Sequence, residues 1–237
     1  HPNPKPADIR WLQPTFRPVE IRTADGERIR GLWTPPQGGA GVVLYLHGNA
    51  GNLGDRRDRL KDVAATGAGV LAIDYRGYGG STGQPSEQGL YADARAAWAW
   101  IAREAPRRPV VLWGESLGTA VAVRLATEVD ETGVVLDSPL SSTAGLLRAR
   151  APWYPSELVR QRFDSARKVS AIGSPLIIAH CDTDHVVPFA EGRAVFEAAQ
   201  EPKRFIAMHS CSHIEIWNDP AKAAILGFLA ERIGARS

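Results

Sequence analysis

Ser116 stands in Trp113-Gly114-Glu115-Ser116-Leu117-Gly118-Thr119-Ala120, a Gly-x-Ser-x-Gly set between the apolar run Val110-Val111-Leu112-Trp113 and a helical stretch, Leu117 to Val129. A serine on so tight a strand-to-helix turn projects its hydroxyl above the sheet, because glycines at 114 and 118 remove side chains where backbone must approach. The helix that follows directs its first free N–H groups, that of Leu117 foremost, at the reacting centre, where they can hold negative charge on a tetrahedral intermediate. A second donor is expected from the glycine-rich turn Leu46-His47-Gly48-Asn49-Ala50-Gly51-Asn52. There the backbone N–H of Asn49 is favoured over that of Ala50.

A serine hydroxyl becomes a useful nucleophile when a base within hydrogen-bond reach takes its proton, and histidine does so near neutral pH. His213, in the loop Ser210-Cys211-Ser212-His213 between the last core strand and the last helix, is the first choice, with His209 the alternative. His47 reads better as a loop-holding residue at a strand end. A carboxylate must fix the imidazole tautomer. Asp184, in His180-Cys181-Asp182-Thr183-Asp184-His185-Val186-Val187-Pro188, fits best; Asp137, ending another core strand, competes, and Asp182 reads as a brace of the turn.

The same two loops concentrate His180, Cys181, Asp182, Asp184, His185, His209, Cys211 and His213. No Cys-x-x-Cys knuckle occurs among them to pair with the His-x-x-x-His spacing of His209 and His213, which argues against a structural zinc site. Cys181 and Cys211 are either a disulfide joining the two loops or two buried thiols.

These residues need a frame. Val19 to Thr23 and Arg28 to Trp33 alternate around Asp25-Gly26, the pattern of a hairpin. The runs Val42 to Leu46, Val70 to Ile73, Val110 to Trp113, Val134 to Leu136 and Leu176 to Ala179 are almost wholly apolar, as strands buried on both faces are. Helical stretches separate them: Arg56 to Thr66, Glu87 to Glu104, Leu117 to Val129 and Phe189 to Gln200. A last strand, Arg204 to Met208, precedes the helix Pro220 to Ile233. The sum is an α/β fold with a mostly parallel sheet of about eight strands flanked by helices. Residues 1–18, with five prolines, read as an extended arm, and 19–237 as one domain. The interval of about 140–174 exceeds a simple crossover and predicts a small cap, with a helix over Ser156 to Phe163.

Lys and Arg total 28 against 26 Asp and Glu, a formal charge of +2 that gives no reason to expect nucleic-acid or anionic-membrane partners. The run Asp55-Arg56-Arg57-Asp58-Arg59 reads as a solvated helix face. No apolar run reaches the roughly 20 residues that span a bilayer. The first residue is His1, so the sequence alone does not separate a cytoplasmic chain from a cell-envelope one whose leading signal or anchor was removed.

Together Leu46 to Asn52, Asp74-Tyr75-Arg76-Gly77-Tyr78-Gly79-Gly80-Ser81, Gly114 to Gly118, Asp137-Ser138-Pro139, Arg162-Phe163-Asp164-Ser165 and Asp184 to Pro188 resemble the α/β-hydrolase superfamily. The resemblance is greatest to its Bem46-like branch of ABHD13- and ABHD17-like proteins, classed near serine aminopeptidases. It implies an eight-stranded sheet with one antiparallel strand, a Ser116, Asp184 and His213 triad, and a structural role for Asp74 to Ser81. Cys181 and Ser212 stand where the branch usually has glycine. The expected activity is hydrolysis of small carboxylic esters or thioesters through an acyl-enzyme, without metal or organic cofactor, with Trp153, Tyr154 and Leu158 lining the acyl pocket. The alternatives are a peptidase or amidase of the same fold, and a binding module with a vestigial triad.

Overall fold

Strands that are apolar on both faces need helices on both, and the chain supplies them in alternation. The computed structural model describes residues 2–6, 8, 10, 15–151, 153, 155, 159–213 and 217–234. Strands β1 (Arg17–Arg22) and β2 (Arg28–Thr34) form the hairpin expected around Asp25-Gly26, with Gly26 at φ 92° in its turn. The others are β3 (Val42–Leu46), β4 (Gly69–Asp74), β5 (Val110–Glu115), β6 (Gly133–Asp137), β7 (Leu176–Cys181) and β8 (Lys203–Met208). They make one sheet in the order β1-β2-β4-β3-β5-β6-β7-β8, antiparallel at β1–β2 and β2–β4 and parallel elsewhere. Thus β2 alone runs against the rest, as the family resemblance implies.

Within each buried strand the faces still alternate. Leu44, Leu112, Leu136 and Ile178 pack with α2 (Glu87–Glu104), α3 (Leu117–Ala126) and α6 (Phe189–Ala198). Val43, Tyr45, Trp113 and Ile177 pack with α1 (Arg57–Ala65) and α7 (Asp219–Ile233). The carboxyl ends of the parallel strands therefore lie along one edge, the place where ligands bind in open α/β sheets.

Several boundaries differ from the sequence expectation. β7 runs two residues past Ala179, because His180 and Cys181 pair with Ala207 and Met208 of β8. The helix expected from Leu117 to Val129 stops at Ala126, where the Thr127 hydroxyl donates to the Arg124 carbonyl. Asn52 and Asp55 form a capping box on a 3-10 turn, Leu53–Arg56, that precedes α1. In the interval after β6, helix occurs at α4 (Thr143–Arg150) and α5 (Ser165–Lys168). Residues 159–163 are non-helical; 156–158 of the helix expected there lie outside the described residues.

The loop after β4 is locked by charge. Buried Asp93 of α2 accepts the Arg76 backbone N–H at 2.8 Å and its guanidinium at 2.8 and 3.0 Å, while Asp25 of the hairpin turn takes the other side of Arg76 at 2.8 Å. The arm packs against this loop and that after β3: the Asn3 N–H donates to the Gly51 carbonyl and the Gly79 N–H to the Asn3 carbonyl.

Candidate active site

Ser116 joins β5 to α3 with φ 50° and ψ −116°, a strained conformation for a side-chain-bearing residue. Its neighbours explain why glycines flank it. A Cβ on Gly118 would lie 2.0 Å from the Leu46 carbonyl oxygen, and one on Gly114 would lie 2.4 Å from that of Gly118. The Ser116 N–H donates to the Asp137 carbonyl at 2.8 Å, which pins the turn to the end of β6. Leu117 opens α3, so its N–H belongs to the first turn, whose N–H groups have no intrahelical acceptor.

The loop after β3 abuts this turn: a Cβ on Gly48 would come within 3.2 Å of the Ser116 Cβ. Asn49, next in the chain, has its side-chain oxygen held by the Tyr78 hydroxyl at 2.8 Å. Leu117 and Asn49, expected as the two oxyanion donors, thus come from segments in contact at Ser116. His47 is fully buried against Tyr75 and Tyr78, and its Nδ1–H donates to the Gly48 carbonyl at 2.6 Å, a loop-holding arrangement.

From β7, the loop after Cys181 brings Asp184 beneath the loop that carries His213. Asp184 Oδ1 accepts the N–H groups of Val186 and Val187 at 2.7 and 2.9 Å, and Oδ2 accepts His213 Nδ1–H at 2.6 Å. Burial opposes the charge on Asp184, but bonds from His180 and His213 outweigh it and hold the carboxyl far below the usual range. Burial likewise opposes a charged His213; Asp184, helped by Asp137 and Glu115, prevails and raises the imidazole above its ordinary value. Those last two residues bracket Ser116, one preceding it in sequence and the other bonded to its N–H. His209 instead pairs with Asp182 at 2.6 Å, out in solvent. Cys181 and Cys211 are joined in a disulfide between the two loops.

Beneath Ser116 lies a charge cluster that the sequence reading missed. Arg59 Nη1 is 2.7 Å from Asp137 Oδ2, 3.0 Å from Glu115 Oε2 and 3.1 Å from the Tyr45 hydroxyl, with its guanidinium over the rings of Trp113 and Trp217. Arg56 reaches Glu115 Oε1 at 2.7 Å, and the Tyr45 hydroxyl donates to Glu115. Burial works against the Glu115 carboxylate, yet Arg59 and Arg56 bring its pKa to about 2. For Asp137 burial dominates and pushes the pKa up to about 6, Arg59 offsetting it only in part. The charge run 55–59 is therefore not one solvated face: Asp55, Arg57 and Asp58 are exposed, whereas Arg56 and Arg59 point inward. Helical spacing carried the signal, since 56, 59, 60 and 63 share one face and Leu60 and Val63 are core residues. Asp137, the competitor for the acid, is engaged by Arg59.

Of the three residues expected in an acyl pocket, Trp153 is 82% exposed, and Tyr154 and Leu158 lie outside the described residues. Among the described residues no group of three or more His, Cys, Asp or Glu could hold a metal ion, and no helix is long and apolar enough to cross a membrane.

A sheet of this topology, with a strained serine turn at its carboxyl edge and helices on both faces, defines an α/β hydrolase. The sequence pattern described as serine aminopeptidase, S33, matches residues 38–160, just over half of the chain, and the chain belongs to that hydrolase family, in the ABHD-like branch of the superfamily. An uncharacterized protein of Mycobacterium tuberculosis (strain H37Rv) is 38% identical over 212 residues, covering 87% of this chain and 74% of its own. The lysophosphatidylserine lipase ABHD12 of Danio rerio is 35% identical over 187 residues, covering 68% of this chain and 48% of its own. In fold the chain is similar to the Pyrococcus furiosus esterase Pf2001, with a TM-score of 0.81, 22% identity and 98% of both chains covered.

Replacing Arg59 with Met leaves Asp137 and Glu115 short of counter-charge in the interior. Breaking such a buried group costs about 3 kcal/mol, and urea denaturation should show a loss of that order. A loss within experimental error would mean that the cluster is dispensable to the fold.

Proposed function

We propose that the chain is a serine hydrolase that cleaves small carboxylic esters or thioesters through an acyl-enzyme, with Ser116 as nucleophile, His213 as base and Asp184 as the acid that orients it. The observation that carries the reading is the 2.6 Å bond from His213 Nδ1 to Asp184 Oδ2. It commits Nδ1 to the carboxylate and leaves Nε2 as the proton acceptor. Ser116 Oγ attacks the carbonyl carbon as Nε2 takes its proton, and the N–H groups of Leu117 and Asn49 hold the oxyanion. Collapse expels the alcohol or thiol, protonated from Nε2. Water then attacks the acyl-enzyme by the same route in reverse roles, and Ser116 is regenerated. Every step is a proton transfer or an acyl transfer among these groups, so no cofactor is required.

Esters are preferred over peptides because the interval after β6 is short for a peptide-binding cap, and its exposed Trp153 offers an apolar surface to an acyl chain. Ser116→Ala should lower turnover of p-nitrophenyl acetate by at least about 1000-fold, and a fluorophosphonate should add mass at Ser116 of the parent protein alone. An unlabelled folded protein would favour a binding module, and faster cleavage of aminoacyl amides than of acyl esters a peptidase.

The rate should also follow the protonation of His213. Only the neutral imidazole accepts a proton, and Asp184 raises its pKa above the ordinary 6.5. Accordingly kcat/KM should fall as pH drops through a value above 6.5, and Asp184→Asn should move that limb to lower pH while cutting kcat by up to about 10000-fold. A limb that stays put in Asp184→Asn rules out this carboxylate as the partner.

A finer reading concerns the substrate's charge. Trp153 and Val186 are the large hydrophobic residues most exposed among the described ones, and exposed Arg150 reaches the Val186 carbonyl beside the Asp184 loop. An apolar chain bearing a nearby anion suits such a rim, in keeping with the lysophosphatidylserine named for the ABHD12 relative. Anionic lysophospholipids should be cleaved faster than zwitterionic ones of equal chain length, by a margin that shrinks in molar salt. Equal rates at low salt would remove this preference.

A further inference from the structure

Cys181 is the last residue of β7, three positions before Asp184, and Cys211 lies two positions before His213. Their sulfurs are bonded and both residues are buried. Around the bridge the two loops share further ties: the Thr183 hydroxyl donates to the Cys211 carbonyl at 2.6 Å and the Asp182 N–H to the Met208 carbonyl at 2.9 Å, while the Asp184 N–H closes its own loop on the Cys181 carbonyl at 3.2 Å. Ser210, immediately before Cys211, is held at φ 55°. A serine keeps that left-handed conformation where its surroundings impose it. The next turn of chain delivers the imidazole, whose Nδ1–H donates to the Asp184 carboxylate at 2.6 Å.

We infer that the Cys181–Cys211 disulfide is a positioning element for His213, so that hydrolysis depends on the oxidation state of this bridge; the inference rests on the triad proposed above. Oxidised, the bridge fixes the root of the His213 loop against the root of the Asp184 loop, and the imidazole is presented with Nδ1 on the carboxylate. Reduced, the roots are joined only by hydrogen bonds, Ser210 relaxes out of the left-handed region and the ring leaves its line with Ser116. The change is a two-electron exchange. A dithiol such as dithiothreitol supplies two electrons and two protons, the sulfur–sulfur bond becomes two thiols, and the dithiol closes to its own cyclic disulfide. Oxidised glutathione reverses it.

The test compares the oxidised protein, the dithiothreitol-reduced protein and the double variant C181A/C211A in p-nitrophenyl acetate hydrolysis across pH, with circular dichroism confirming the fold at the assay temperature. The expected result in both altered forms is a kcat lower by on the order of 100-fold, as a displacement of about 1 Å at the reacting groups can cause, with KM changed by less than about threefold. The acid limb should shift to lower pH, and the downfield proton resonance of the His213 Nδ1–H should disappear. Oxidised glutathione should restore rate and resonance to the reduced parent protein, a measurement that stands even where the double variant does not fold. Should the oxidised protein hydrolyse the ester while the folded reduced protein keeps its rate, limb and resonance, the bridge has no such role and the triad stands. A loss of rate that only tracks global unfolding also overturns the inference. If the oxidised protein neither hydrolyses the ester nor reacts with a fluorophosphonate, the triad fails and the inference with it.

Discussion

Between β5 and α3 the chain must reverse direction within one residue, and Ser116 bears that constraint at φ 50° and ψ −116°. Such a conformation costs on the order of 1–3 kcal/mol and persists only where neighbours leave no alternative. Here the neighbours are backbone atoms. The Leu46 carbonyl occupies the space that a Gly118 side chain would need, and the Asp137 carbonyl takes the Ser116 N–H. Both carbonyls belong to strands that flank β5 in the sheet, so the strained turn is set by the parallel register of β3, β5 and β6. What holds the sheet together therefore also aims the serine.

Electrostatics beneath the turn follows from the same geometry. Glu115 and Asp137 are paired across β5 and β6, which would place two carboxylates side by side in the interior. Arg59 resolves that conflict by lying between them, and Arg56 relieves Glu115 further. The 3-10 turn that carries Arg56 and leads into α1, which carries Arg59, is anchored by the Asn52 cap and by the Leu53 N–H on Asp74, at the end of a third strand. The site thus rests on four strand ends and one short helix, none of which is sufficient alone.

Much of this was legible before any coordinates. Apolar runs marked the strands because two-sided burial demands them, and Gly-x-Ser-x-Gly marked the turn because its glycines answer to close backbone contacts. Asp184 and His213 were expected together from their places after the last two strands, and their side chains are bonded. What escaped was whatever depends on partners remote in sequence. Arg56 and Arg59 look like solvated charges until Glu115 and Asp137 are known to stand opposite. His180 and Cys181 read as loop until β8 pairs with them. The helix expected over 156–163 failed in its described part because local periodicity there is weak, and the pairing of Cys181 with Cys211 required a distance that sequence does not hold.

The arm adds a mechanical consequence. Asn3 bridges Gly51 and Gly79, and Asn52 donates to the Lys5 carbonyl, so the first few residues staple the loop containing Asn49 to the loop after β4. Local opening of a protein proceeds in cooperative units whose free energy reflects such cross-ties. Detaching the arm removes this shared tie while Arg76 still holds the loop after β4, and the amide protons of Asn3 and Gly79 should therefore gain access to solvent together.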